Sequence, residues 1–240
     1  MSQRIRITFR KGGVLEWVSH LDTMRTWERT LRRAKLPLAY TQGFSPHPRI
    51  ALAAPLPVGV EGERELMDAW LDPPLAPAEV RARLEATLPP GLELVDLDEV
   101  AERLPSLQSS LRAARYRITF DAREVEASTL ASRLADFLAL ESLEWEERRG
   151  EKTRTVDLRP GVLEAAVREA PPADDDPAGE PLTVLELRLS LEEGRGVRAA
   201  SVVDSLDVGA EPLAMMRTEL EIDRPQMALA AWRARGRYEE

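Results

Sequence analysis

Arg4-Ile5-Arg6-Ile7-Thr8-Phe9-Arg10 and Tyr116-Arg117-Ile118-Thr119-Phe120-Asp121 decide the reading of the fold. Each alternates polar and apolar with a period of two, as a strand does when one face meets a core. In the first copy Ile5, Ile7 and Phe9 face inward. Ser19 then stands before a helical pattern, with Asp22 three residues on. This is a variant of the capping box, in which a hydroxyl satisfies an orphan amide and a carboxylate favours the positive helix end. The helix runs to about Lys35 and stops before Pro37, with Leu21, Met24, Trp27, Leu31 and Ala34 on its apolar face. Residues 50–60 and 65–71 read as paired strands, 77–88 as a helix and 91–97 as a strand. The order β-α-β-β-α-β is the split unit of ferredoxin-like folds.

The second half repeats the plan. A helix is expected over 124–140, strands near 143–148, 152–158 and 182–191, a short helix at 197–206 and a strand at 215–222. A polar insertion at 171–179 carries Asp174-Asp175-Asp176. It lacks the spaced acidic pattern of a calcium loop and reads as solvated. The expected fold is therefore α+β with two ferredoxin-like halves. Residues 1–100 form the first half and 101–113 a connector. Residues 114–223 form the second half, and 224–240 a polar tail.

Composition bounds the chemistry. The chain has 240 residues, no cysteine and two histidines. A disulfide framework, a zinc–thiolate site, a cysteine-ligated iron–sulfur cluster and a cysteine nucleophile are excluded. No apolar run approaches the roughly 20 residues of a membrane helix. The amino-terminal text lacks the apolar stretch of a signal peptide. A cytoplasmic protein with no membrane association is expected. No phosphate-binding glycine loop or serine-hydrolase elbow occurs. Neither a cofactor nor a metal is expected.

The net charge of -9 hides an asymmetry. Residues 1–50 carry ten basic and three acidic side chains, whereas the other 190 carry 23 and 39. A basic front points to an anionic partner; the alternative is neutralisation by acidic surface elsewhere on the same chain. Arg25, Arg29 and Arg32 fall at i, i+4 and i+7 and form one helical stripe, with Arg33 beside it. Forked guanidiniums suit phosphate. Arg6, Tyr40, Phe44, His47 and Arg49 lie in adjoining text and add charge and stacking surface. The competing reading is a solvated helix face. Lys152, Arg154 and Arg159 form a smaller cluster in the second half, either an extension of an anion groove or a solvated hairpin. His20 and His47 both fall within the basic front. Together they suit acid–base work on RNA or a binding role, and separately they suit a cap and a loop brace.

Ser19-His20-Leu21-Asp22, the arginine-rich helix, Leu36-Pro37-Leu38-Ala39-Tyr40-Thr41-Gln42-Gly43-Phe44-Ser45-Pro46-His47-Pro48-Arg49-Ile50 and Pro55-Leu56-Pro57-Val58-Gly59-Val60 carry a family resemblance. The chain resembles the radical-SAM-linked bacterial domain family of unknown function, strongly over residues 4–72 and more weakly at Val156-Asp157-Leu158-Arg159-Pro160. That resemblance implies a radical SAM iron–sulfur protein as partner and assigns no catalytic residue. The paired halves also resemble the repeat-associated RNA-binding proteins of CRISPR systems. Their carboxy-terminal glycine-rich loop is missing here, since the last 50 residues hold only Gly194, Gly196, Gly209 and Gly236.

The expected function is an accessory, substrate-binding module that works with the radical SAM protein, binds RNA through its basic front and is not catalytic on its own. One alternative is an endoribonuclease of the repeat-associated type using His20 and His47. Another is a purely structural partner subunit.

Overall fold

A computed structural model of the chain describes residues 2–149, 152–172 and 181–223, with only the backbone at 148, 149 and 152. The Asp174-Asp175-Asp176 run and the tail from 224 onward lie outside the described residues. The chain is α+β and divides into two compact units. One takes the chain up to Leu111 and resumes at Ile222; the other is Arg112–Glu221.

The first unit contains β1 (Gln3–Lys11), α1 (His20–Arg33), β2 (Ile50–Leu52), β3 (Glu61–Leu71), α2 (Pro77–Glu85), β4 (Leu92–Val100) and the short α3 (Leu107–Ser110). Its strands lie in the order β4-β1-β3-β2, each antiparallel to its neighbour. Ile5, Ile7 and Phe9 of β1 join Met67, Ala69 and Leu71 of β3 in one core cluster with Trp27 and Leu31 of α1 and Val80 and Leu84 of α2. Phe9 meets Trp27 edge to face, with ring centroids 4.9 Å apart. Ser19 caps α1 as its spacing predicts, accepting from the Asp22 amide at 3.2 Å.

Two expectations fail here for identifiable reasons. Leu21 is 66% exposed and does not belong to the apolar face. It sits six positions from Trp27, about 120° away around the helix, and Thr23 and Thr30 occupy the buried stripe instead. The strand expected over 50–60 shrinks to Ile50–Leu52, because Pro55 and Pro57 have no amide to give to a ladder.

The other face of β1 is polar in sequence, yet buried from Arg4 to Thr8. Arg4 and Arg6 are 2% and 7% exposed. Asp68, directly across from Arg6 in the register, is fully buried and accepts from both. Arg4 Nε lies 2.8 Å from one carboxylate oxygen and Arg6 Nε 2.9 Å from the other. Arg4 also donates to the carbonyls of Leu104 and Pro105 at 2.7 and 3.0 Å. Charges are buried this way only when paired and hydrogen-bonded.

The second unit contains β5 (Leu111–Asp121), α4 (Ala127–Ala139), β6 (Glu144–Arg149), β7 (Lys152–Asp157), β8 (Val162–Ala170), β9 (Leu182–Ser190), α5 (Ala199–Ser205) and β10 (Ala214–Ile222). Its main sheet runs β10-β5-β9-β8. The strands expected near 143–148 and 152–158 exist, but they pair only with each other, as a separate two-stranded sheet. The main-sheet strand they were expected to supply is β8, for which the sequence reading had no strand. Val162–Ala170 is rich in alanine and glutamate, which favour helix over strand. Pairing with β9 overrides that preference, with Val167 opposite Leu185 and Ala165 opposite Leu187.

Candidate nucleic-acid interface

The segment between α1 and β2 is a hairpin built on the end of β3. Leu38 bridges Leu71, and the Ala39 amide donates to the Trp70 carbonyl at 2.8 Å. The Arg49 amide donates back to Ala39 at 2.8 Å, and Tyr40 bridges Pro48. One step further out, the Thr41 amide donates to the His47 carbonyl at 2.9 Å and the His47 amide to Thr41 Oγ1 at 3.0 Å. Pro46 and Pro48 fix φ on the returning arm. Gly43, with φ of +136°, supplies the turn that other residues rarely adopt. All of residues 41–47 are exposed, and Phe44 at the tip is 109% exposed, so its ring touches nothing. Tyr40 is 44% exposed.

α1 presents the arginine stripe outward. Arg25 is exposed and lies 2.9 Å from Asp22. The Ser19 hydroxyl, followed by Arg25, holds the Asp22 carboxyl below the usual range. Arg29 makes a 3.4 Å contact with Thr26 Oγ1. Arg32 is exposed, and its side chain has no hydrogen-bond or ion-pair partner among the described residues. Arg33 donates to the Thr87 carbonyl after α2 and so braces two helices. The carboxy-terminal end of α1 and the hairpin stem sit at the same end of the sheet, since the Asp72 amide reaches the Pro37 carbonyl at 2.7 Å.

Two expected members of this site serve the fold instead. Arg6 is committed to Asp68 in the interior. Arg49 is half-buried with its Cζ 4.8 Å from the Trp70 ring centroid, and Arg4 lies 5.1 Å from the same ring. Arg49 thus anchors the hairpin base.

His20 is elsewhere. It lines a small cleft of about 10 Å3 with Phe9, Lys11, Thr23 and Glu65, room for about one water. Lys11 and Glu65 are 1% and 4% exposed. Glu65 and Trp70 are five residues apart on β3, about 17 Å along an extended strand. His47 lies beyond the Trp70 end and His20 at the Glu65 end, so one phosphate does not reach both.

Near His20 in the chain several apolar side chains are exposed. Trp17, 71% exposed, lies over Gly59 beside exposed Val58, and Val14 and Leu21 flank it in the chain. Gly59 has φ of +78°, and a Cβ there would meet the Trp17 ring at 3.3 Å.

The smaller cluster of the second unit does not assemble. Arg159 donates to the carbonyls of Leu138 and Val162, and Arg154 lies 3.7 Å from Glu147. The side chain of Lys152 is outside the described residues. Arg154 and Arg195 border a cleft of about 500 Å3 that also holds Asp157, Glu192 and Glu193, so acids outnumber bases there. The cleft of about 290 Å3 over β5, β8 and β9 is lined by an ion-pair lattice. There Glu221 accepts from Arg115 and Arg188 at 2.9 and 2.8 Å. Among the described residues, no cluster of three His, Asp or Glu is placed to hold a metal, and no helix is long and apolar enough to cross a membrane.

Residues 4–199 match the family described as an uncharacterized protein conserved in bacteria (DUF2344). The chain belongs to this family. The hairpin and the arginine stripe both fall within the matched span of this DUF2344 chain, and the family description names no radical SAM protein. No curated protein matches. Among solved structures, a Cbf5-Nop10-Gar1 complex shares 12% identity over 91% of this chain and 48% of that one, at a TM-score of 0.47. An H/ACA RNP bound to a substrate RNA containing 2'-deoxyuridine shares 14% over 91% and 47%, at 0.42. An unknown protein from Galdieria sulphuraria shares 12% over 80% and 83%, at 0.25. The DUF2344 chain spans about half the length of the first two.

Proposed function

We propose that this protein is a non-catalytic RNA-binding module built from two ferredoxin-like halves, acting beside a radical SAM iron–sulfur protein. The observation that carries the RNA reading is the pairing of an exposed arginine stripe with a braced hairpin whose outer residues 41–47 are all exposed. Arg25, Arg29 and Arg32 offer phosphate-binding forks, and Tyr40, Phe44 and His47 offer ring faces. The topology of each unit supports the two halves: β-α-β-β-α-β with the fourth strand beside the first, and β6–β7 inserted after α4 in the second unit. The radical SAM partnership rests on the resemblance of residues 4–72, and the apolar surface at Val14, Trp17 and Val58 suits a protein contact.

Fluorescence anisotropy with labelled RNA tests the binding claim. The wild type binds at low salt, and affinity falls steeply as salt rises. Replacing Arg25, Arg29 and Arg32 with alanine weakens binding and reduces the salt slope by about 3. Absence of binding to any RNA at low salt overturns the reading. Co-purification with the radical SAM protein, lost on Trp17→Ser, tests the partnership, and failure of the wild type to co-purify removes it.

A further inference from the structure

We infer that the hairpin tip selects unpaired nucleobases, so that the ligand is single-stranded and Phe44 is its stacking platform. This rests on the RNA-binding reading and narrows it. A Phe ring at 109% exposure makes no packing contribution to its own fold. Leaving an apolar ring in water is unfavourable by the area it exposes, so the fold gives no reason for it. Gly43 points the same way: a Cβ there would meet nothing within 4 Å, so the glycine serves the backbone turn and not close packing.

The stem beneath the tip is ordered before any ligand arrives. The Thr41–His47 pair, the Tyr40–Pro48 bridge and the two prolines order the stem. Pre-ordering removes much of the entropy that a loose loop would lose on binding. A duplex hides its base faces inside the stack and offers a protein mainly phosphates and groove edges. A protruding ring meets a base face without the cost of unstacking a duplex step only where the base is already splayed out. Arg32 and the carboxy-terminal end of α1, at the same end of the sheet, are suited to the flanking phosphates.

The experiment measures anisotropy with an unstructured RNA 12-mer, the DNA strand of the same sequence, and the RNA annealed to its complement. The expected result is tighter binding of the single strand than of the duplex. Phe44→Ala weakens the single strand about ten-fold and leaves the duplex unchanged; Phe44→Trp retains binding. An RNA with abasic sites in place of its bases binds wild type and Phe44→Ala equally. The DNA strand separates base stacking, which it retains, from any demand for the 2′-hydroxyl. If RNA binds but the duplex binds as well as the single strand, or Phe44→Ala changes nothing, the inference fails and the RNA reading stands. If no nucleic acid binds, the RNA reading itself fails. If Phe44→Ala instead abolishes only co-purification with the radical SAM protein, the ring is a protein anchor and the inference is overturned.

Discussion

Arg49 lies over the ring of Trp70, its Cζ 4.8 Å from the centroid, while its own carbonyl accepts from the Trp70 amide at 3.0 Å. The hairpin is therefore fastened to β3 by main chain and side chain at one residue. A guanidinium over an indole contributes about 0.5–1 kcal/mol where solvent still reaches it. Arg49→Ala is expected to lower stability by about that much in urea unfolding. The sharper readout is amide hydrogen exchange: the Thr41 and His47 amides, one step beyond Arg49, exchange faster in the variant. Unchanged exchange there would mean that the main chain alone holds the stem.

Asp68 offers a larger effect. It is fully buried and accepts from both Arg4 and Arg6. Removing it leaves two guanidiniums in the interior without their carboxylate. Breaking a buried pair in this way costs about 3–5 kcal/mol. Asp68→Ala should shift the urea midpoint accordingly or prevent folding. The triple variant Arg4→Met, Arg6→Met, Asp68→Leu removes the charges together and should recover most of the loss. If the triple variant is no better than Asp68→Ala, the bonds from Arg4 to the Leu104 and Pro105 carbonyls matter more than the carboxylate.

These two residues also show what the sequence reveals and what it withholds. The alternation of β1 placed Ile5, Ile7 and Phe9 correctly, because a period of two is a local property. It does not show the burial of Arg4, or of Arg6, which the sequence offers to an anionic ligand; that burial depends on a partner acid more than 60 residues away and on the connector carrying Leu104 and Pro105. Pro46 and Pro48 are a local signal against helix in the hairpin, but its stem pairs Ala39 with Arg49 only on the template of β3. The exposure of Trp17 and the misplacement of Leu21 on the apolar face have a similar cause. Apolar residues near a helix start are expected inside, and only the position of Trp27 shows that Leu21 points outward. β8 was hidden by its own composition, since alanine and glutamate do not announce a strand.

Stability should fall in acid, and the second unit supplies three of the groups responsible. Arg188 holds Glu221 below the usual carboxylate range, with Arg115 adding to it. Asp157 is held low by hydrogen bonds from the Leu143 amide and the Ser142 hydroxyl. For each, the folded state favours the ionised form. Their stabilisation is fully present above the unfolded value of about 4 and is lost as pH falls through the lower folded value. Asp121, brought down to about 2 by Arg123, follows last. Asp98 has the opposite sign, since burial and then Asp96 raise it. Urea midpoints measured from neutral to acid pH should therefore decline, and Glu221→Gln should flatten part of that decline. A curve as steep in the variant as in the wild type would remove Glu221 from the account.

The two histidines give the final prediction. His20 lines the Lys11 and Glu65 cleft, and His47 belongs to the hairpin at the far end of the sheet, beyond Trp70. Groups separated by more than about 10 Å with no shared partner act additively. His47→Ala should therefore weaken RNA binding by itself, through loss of a ring beside the Phe44 tip. His20→Ala should leave it unchanged, and the double variant should equal the sum of the two within about 0.5 kcal/mol. The Thr41–His47 main-chain pair survives His47→Ala, so hydrogen exchange at Thr41 distinguishes loss of a contact from collapse of the stem. Anisotropy on the four proteins closes the cycle. A large coupling energy, or RNA cleavage that either substitution abolishes, would mean that the histidines meet on one substrate after all.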